Sequence, residues 1–280
     1  MYINETTKML IRMALAEDIG RGDCTTESVI DSHLHAQALI FVKQPARIAG
    51  LPIVEAVFSE LHPEVNVHHL VEDGEELKSE KNVVCQVEGP ARALCMAERT
   101  ALNFLGRLTG IATYTSLAVK HLEGTGTQLL DTRKTTPGWR LLEKYAVKMG
   151  GGQNHRYGLD DMVLIKDNHI AICGSITSAV QKVRARVGMS FKIEVEVDTL
   201  EQLKEALELE VDMILLDNMD IPTLRQAVQL TDGRVELEAS GNMTIHRLAE
   251  VARTGVSYIS MGALTHSASS VDVGMEIVFV

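Results

Sequence analysis

From Thr127 onward, short apolar runs recur between amphipathic stretches: TQLLDTRK, DMVLIKD, FKIEVEVD, VDMILLDN, VELEASGN and VSYISMGAL. Apolar runs of this length, bounded by polar turns, predict strands. Between them, TLEQLKEALELE and TIHRLAEVARTG carry Leu and Ala at helical spacing with charges on the other face. Thr199 ahead of Glu201 and Gln202, and Thr244 after Asn242, mark helix starts, and Gly255 ends a helix before the next strand. Strands alternating with helices are βαβ units, which suit a parallel barrel, closed or partly open, or a doubly wound sheet. The polar residues favour the barrel. Asp131 to Lys134, Lys166 with Asp167, Glu194 with Glu196, Asp217, Ser240 to Asn242, and Gly262 all fall at the carboxyl ends of the runs, which is where α/β barrels build their sites.

Residues 1–112 follow a different pattern: a first helix, a turn at EDIGRGD, a strand at ALIFVK, a helix at GLPIVEAVFSEL, and hairpin material around VEDGEELKSEKNVVCQVEG. ARALCMAERTALNFL then has the spacing of a partly buried helix. The hairpin has no lysine at a tight tip, which argues against a lipoyl-type module. The final VDVGMEIVFV is expected to return and pair with this domain. The expected organisation is an α+β domain over 1–112 plus 269–280 and a barrel over 113–268.

A length of 280 residues fits about two domains, and 45% hydrophobic with 23% charged residues fits a globular chain. The first segment carries Glu5, Lys8 and Arg12 before any long apolar run, and no stretch reaches the ~18 apolar residues of a membrane span. A cytoplasmic protein with no membrane partner is expected. Cys24, Cys85, Cys95 and Cys173 lack CxxC or metal-ligand spacing and fit free thiols in a reducing compartment. A net charge of -11 argues against a nucleic-acid partner. An acidic small molecule would then require a local basic pocket.

Such a pocket is legible between Thr132 and Leu159, where Arg133, Lys134, Arg140, Lys144, Lys148, His155 and Arg156 face only Glu143. Lys144 and Lys148 stand at i,i+4 and read as a solvated helix face. Arg133, Lys134, His155 and Arg156 instead flank a strand end and the turn GGGQNHR, whose glycines would let backbone approach a ligand. Lys166 follows an apolar strand, and a desolvated ammonium needs an anion. It could contact an anionic substrate, form a Schiff base, or pair with Asp167 or another acid. Glu194 and Glu196 are two apart on a strand and share a face. Asp217 could join one of them near a hydrated Mg²⁺, or pair internally with Lys166 or Arg156. ASGN and SMGA end the last two strands with small residues, the usual phosphate position of such barrels.

At DTRKTTPG, GGGQNHRYGLDDMVLIKDNH, EVEVDTLEQ, LLDN, EASGN and ISMGALTHS the chain closely resembles the quinolinate phosphoribosyltransferase family, and EDIGRGD and AERTALNFLGRLTGIAT extend the resemblance over almost its whole length. The resemblance implies an N-terminal α/β sandwich domain followed by an incomplete parallel α/β barrel. It implies transfer of phosphoribose from phosphoribosyl pyrophosphate to quinolinate with decarboxylation, with Mg²⁺ as cofactor. It also implies a homodimer, able to assemble further, in which Arg99 reaches the partner's site. By the same resemblance Thr132, Arg133, Lys134, His155, Arg156 and Lys166 would receive the two carboxylates and the pyrophosphate. Glu196 and Asp217 would serve the ribose hydroxyls and Mg²⁺, and Lys134, Lys166, Glu196 and Asp217 would form the catalytic set. Ser240, Gly241, Asn242, Met261, Gly262, Ala263 and His266 would surround the 5′-phosphate. Many members have a second glycine where this chain has Asn242, so backbone contacts are expected at Gly241 first. An imine-forming aldolase, a related transferase of a molybdenum-linked system and a phosphosugar-binding regulator are the rivals. The intact KDNH and NHR motifs favour the quinolinate enzyme.

Overall fold

The computed structural model describes residues 3–279. In chain order the first elements are α1 (Glu5–Ile19), α2 (Cys24–Val29), β1 (His35–Val42), β2 (Ala46–Arg47), α3 (Leu51–Leu61), β3 (Asn66–His69), β4 (Glu76–Leu77), β5 (Asn82–Pro90) and α4 (Ala91–Lys120). There follow β6 (Gln128–Leu130), α5 (Arg140–Met149), β7 (Val163–Ile165), α6 (Asp167–Cys173), α7 (Ile176–Arg184), β8 (Ile193–Val197) and α8 (Leu200–Leu207). The chain closes with β9 (Met213–Asp217), α9 (Ile221–Thr231), β10 (Glu236–Ser240), α10 (Ile245–Ala252), β11 (Tyr258–Ser260), α11 (Ala263–His266) and β12 (Val273–Phe279). Among the described residues no helix is long and apolar enough to cross a membrane.

These elements form two compact units. One comprises the residues up to Ser116, Pro137–Gly151 and the stretch from Ala268 on; the other comprises Leu117–Thr136 and Gly152–Ser267. The first unit is built on an antiparallel sheet in the order β12-β1-β5-β3. On β1 alternate residues Ala36, Ala38, Ile40 and Val42 are buried, as period-two patterning requires. The terminal run does return to the first domain, since β12 pairs with β1. The expected hairpin does not form. β4 pairs with β2 in a separate ribbon while β5 joins β1 and β3, so the two arms lie in different sheets. The short helix α2, capped by the Asp23 carboxylate, follows the EDIGRGD turn in a stretch to which the sequence pattern assigned no element.

The stretch 137–151 packs with this first unit, not with the barrel to which sequence patterning assigned it. Trp139 stacks on Phe104 with ring centroids 4.6 Å apart, and the Tyr145 hydroxyl donates to Asp73 Oδ2 at 2.6 Å. The Arg107 guanidinium donates to Glu143 Oε1 at 2.9 Å and to the carbonyl of Ala268 at 2.5 Å. Lys144 is wholly buried beside Glu143, so it is not the solvated position that its spacing suggested, while Lys148 is exposed. The helix is amphipathic, and the face carrying Lys144 turns inward.

The second unit is a parallel sheet in the order β6-β11-β10-β9-β8-β7, and it contains all six strands expected from the sequence. Side chains cap its helices where the sequence has Ser175, Thr199 and Asp220. Thr244 occupies the corresponding position on α10. Among the described residues β6 and β7 do not pair, so the barrel is incomplete. Gln153 makes an isolated bridge to Leu130 at the β6 margin of that gap.

Two glycines of α4 allow the C-terminal segment to run against the helix. A Cβ on Gly106 would stand 2.7 Å from the Val271 carbonyl oxygen, and one on Gly110 would overlap that of Ser269. Gly110→Ala gains about 1 kcal/mol of helix propensity but forces a backbone shift that costs ~1–3 kcal/mol or more. The expected result is a lower urea midpoint, with Gly188→Ala, where the added methyl meets nothing within 4 Å, leaving the midpoint unchanged.

Candidate active site

The site begins with a buried carboxylate. Asp131, immediately after β6, is wholly buried, and it accepts hydrogen bonds from Asn154 Nδ2 at 2.7 Å and from the backbone N–H of His155 at 2.9 Å. Backbone bonds from Asp131 N–H to Gln153 O and from Gln153 N–H to Leu129 O continue the seam. The segments DTRK and QNHR, 22 positions apart in sequence, are thereby fastened side by side. The Thr132 hydroxyl accepts from Lys134 N–H at 3.0 Å, and Thr265 Oγ1 donates to the Lys134 carbonyl at 2.8 Å. At the end of β7, His169 Nδ1 accepts the Lys166 N–H at 2.9 Å, which ends the strand and starts α6 with Lys166 at the rim.

A cavity of about 510 Å³ opens at the carboxyl ends of these strands. Of the residues singled out from the sequence, Thr132, Arg133, Lys134, His155, Arg156, Lys166, Glu196, Asp217, Ser240, Gly241 and Asn242 line it. Lys166 Nζ is hydrogen-bonded to Glu196 Oε2, so the internal partner of Lys166 is Glu196 and not Asp167. Among the described residues Arg133, Lys134 and Arg156 make no ion pair. Arg156 is 8% exposed, and one of its terminal nitrogens donates to the Met162 carbonyl at 2.9 Å. Burial, and then the charge of Arg133, hold the Arg156 pKa below its ordinary value. Glu194 and Asp161 favour its charge in part; guanidinium stays charged regardless, so an anion entering the cavity would relieve the remaining cost.

Glu196 and Asp217 supply the acidic side of the cavity. Asp217 Oδ2 accepts from Asn218 Nδ2 at 2.6 Å, not from Lys166 or Arg156. Two carboxylates facing open space beside a cationic wall suit a hydrated magnesium ion that shares its remaining positions with phosphate oxygens.

His155 departs from the expected role of a cation offered to the substrate. Its Nε2 lies 3.0 Å from Glu194 Oε2 and 3.3 Å from Glu238 Oε2, while Nδ1 accepts the Arg156 N–H at 2.7 Å. Burial opposes charge on the imidazole while the two carboxylates favour it. Burial, together with the charge of Glu238, raises Glu194 against the pull of His155. The hydrogen bond that Nδ1 accepts from the Arg156 N–H leaves the ring proton on Nε2.

Ser240, Gly241 and Asn242, expected around the 5′-phosphate, line one part of the cavity. Gly241 has φ 97°, and a Cβ there would overlap the Asn218 side chain. Asn242 has φ 49°, a left-handed conformation that Asn adopts more readily than most residues. Gly262 and His266 are not in the lining, although a Cβ on Gly262 would come within 2.9 Å of Lys134 Cδ and 3.4 Å of His266 Nε2. Ala263, at the start of α11, is likewise outside it. Met261 offers no donor: its side chain is buried and its N–H is committed to the Leu130 carbonyl at 3.0 Å. The glycines of GGGQNHR are also absent from the lining. Gly150 ends α5, where a Cβ would strike the Ala112 carbonyl oxygen and Thr115. Arg99 is an exposed residue of the first unit, beside Asn103 and Asp272 in a separate shallow cavity.

Sequence patterning missed Asn218, Glu238 and Ser260, which also line the cavity. Glu238 left a signal: it stands two residues before Ser240 inside an apolar strand, as Glu194 stands before Glu196, and so shares the inward face.

Comparison with known proteins agrees with this architecture. A family model described as quinolinate phosphoribosyl transferase, N-terminal domain, matches residues 23–109, and its C-terminal counterpart matches residues 111–276. A probable nicotinate-nucleotide pyrophosphorylase (carboxylating) of Bacillus subtilis is 44% identical over 270 residues, covering 96% of this chain and 93% of that protein. Among solved structures, the nicotinate-nucleotide pyrophosphorylase of Francisella tularensis superposes with TM-score 0.94 at 36% identity, over 99% of this chain and 98% of that one. The enzyme of the same name from Ehrlichia chaffeensis gives TM-score 0.92 at 40% identity, over 99% and 100%. With both domains matched in order and relatives aligned nearly end to end, the chain belongs to the quinolinate phosphoribosyl transferase family.

Proposed function

We propose that this chain transfers the phosphoribosyl group of phosphoribosyl pyrophosphate to quinolinate with decarboxylation, giving nicotinate mononucleotide, pyrophosphate and carbon dioxide in NAD biosynthesis. One observation carries the reading beyond family membership. Arg133, Lys134 and Arg156 converge on one cavity opposite Glu196 and Asp217, and among the described residues none of the three makes an ion pair. A dicarboxylate and a polyphosphate together match that demand.

In this site the cations hold quinolinate with its ring nitrogen facing the ribose C1. As the C1–oxygen bond to pyrophosphate breaks, its electron pair leaves with the pyrophosphate, and the ring nitrogen forms the new bond to C1. Lys134 and Lys166 orient and neutralise the anionic groups, and Glu196 and Asp217 face the ribose hydroxyls and the developing positive charge. Alignment and preorganised charge supply the acceleration. Glu196 and Asp217 are also the groups that would hold magnesium, whose chemistry is to neutralise charge on pyrophosphate oxygens. The alkylated nitrogen then makes the ring cationic. The C2 carboxylate departs as carbon dioxide, leaving its electron pair at C2 beside that charge, and C2 takes up a proton.

The imine alternative is disfavoured because Lys166 Nζ is engaged with Glu196: an ion-paired ammonium has no lone pair to attack a carbonyl. We place the enzyme in the cytoplasm as a homodimer in which Arg99, exposed and outside the cavity lining, is lent to the partner's site.

Incubation with phosphoribosyl pyrophosphate and magnesium should yield nicotinate mononucleotide by mass from quinolinate and none from nicotinate; the reverse preference would overturn the assignment. Arg156→Ala removes a buried charge-assisted contact worth ~2–5 kcal/mol, so kcat/KM for quinolinate should fall by about thirtyfold or more, as measured by steady-state kinetics. Chelation should abolish turnover, magnesium should restore it, and Asp217→Asn should raise the magnesium concentration needed for half-maximal rate.

A further inference from the structure

Two of the most deeply buried carboxylates in the barrel have no part in the reaction as derived. Glu194 on β8 and Glu238 on β10 are 0% and 1% exposed, and β9 lies between their strands. Their side chains meet at a single group, the Nε2 of His155. Burying two carboxylates costs several kcal/mol each, and apolar residues of similar volume would fill the same space without that cost. Their position calls for a task that apolar residues cannot perform.

We infer that Glu194 and Glu238 are positioning residues for the carboxylate-binding end of the cavity: they clamp the Nε2–H of His155 so that its Nδ1 fixes the backbone of Arg156. The inference rests on the proposed function, because it assigns the pair to the binding of quinolinate. The chain of contacts is short. Nδ1 accepts the Arg156 N–H at 2.7 Å, which leaves the ring proton on Nε2, the nitrogen that lies 3.0 Å and 3.3 Å from the two carboxylates. Arg156 is thus held at its backbone by His155 and at its guanidinium by the Met162 carbonyl. If the imidazole loses its acceptors it can turn, and the Arg156 backbone loses its anchor.

The same three side chains bring ligand atoms within 4.8 Å of one another and could be read as a metal site. The tautomer argues against that reading. A metal would need the Nε2 lone pair, and with Nδ1 accepting from Arg156 that position carries a proton.

The test combines kinetics with ring spectroscopy on the full-length enzyme. In Glu194→Ala and Glu238→Ala the KM for quinolinate should rise about tenfold, the effect of losing one hydrogen bond to a charged group, with kcat and the KM for phosphoribosyl pyrophosphate nearly unchanged. Glu238→Gln, which keeps an acceptor oxygen, should recover most of the loss. In the wild type, ¹⁵N-histidine spectra, assigned through His155→Gln, should show one protonated and one unprotonated ring nitrogen, with the proton on Nε2. Folded alanine variants with wild-type quinolinate KM, a proton on Nδ1 of His155, or a stoichiometric metal lost on Glu238→Ala would each overturn the inference. If the wild type makes no product from quinolinate, the proposed function fails instead, and the ring spectra still decide whether the carboxylates hold His155.

Discussion

The carboxylate of Asp131 determines where the cationic wall stands. It lies at the end of β6 with no exposure, and both its oxygens are committed to the loop that carries His155 and Arg156. In a low-dielectric interior such bonds are strong, and losing their acceptor is costly. Because β6 is a margin of the incomplete barrel, no neighbouring strand on that side fixes the loop. The Asp131 bonds and the Gln153 bridge do so. Arg133 and Lys134 on one segment and Arg156 on the other are thereby brought to one cavity although α5 separates the two segments in sequence.

This arrangement accounts for an acidic protein with a basic site. A net charge of -11 would repel anionic substrates over most of the surface, yet screening confines that repulsion to about a Debye length, ~8–10 Å. Within the cavity the local cations dominate. Among the described lysines and arginines lining the cavity, Lys166 alone is ion-paired, and its carboxylate, Glu196, also faces the ribose end of the proposed substrate. An incoming phosphate can exchange with Glu196 for Lys166 and release the glutamate to the ribose or to magnesium. The ion pair in the substrate-free protein and the functional roles of both residues are then compatible.

Much of this was legible in the sequence because it follows from strand periodicity. The six barrel strands and the polar residues at their carboxyl ends come directly from alternation and from where each apolar run stops. What escaped depends on contacts between segments distant in sequence. The hairpin around Glu75 failed because β4 and β5 found partners in different sheets, which local patterning does not encode. Lys144 looked solvated because i,i+4 spacing does not say which helix face turns inward. The glycines of GGGQNHR looked like a ligand loop, yet Gly150 serves close packing at the end of α5. Met261 matched the family pattern at the phosphate end, but its N–H belongs to the parallel ladder with β6. The sequence also carried no sign that His155 turns both ring nitrogens toward protein groups.

The barrel interior reflects a division of labour between two rows of acids. Along β8, Glu196 sits near the strand end and meets the cavity, while Glu194, one row deeper, is sealed. Along β10, Ser240 and Glu238 repeat the same step of two residues. The upper row is placed to touch substrate; the lower row, almost wholly buried, meets His155. A parallel strand fixes this offset at ~6.6 Å, so a deeper row can support an upper one without competing for the ligand. The loop carrying His155 and Arg156 lies beside the gap between β6 and β7, where it can reach both rows. Leaving that gap unpaired is therefore part of how the barrel makes room for its carboxylate-binding residues.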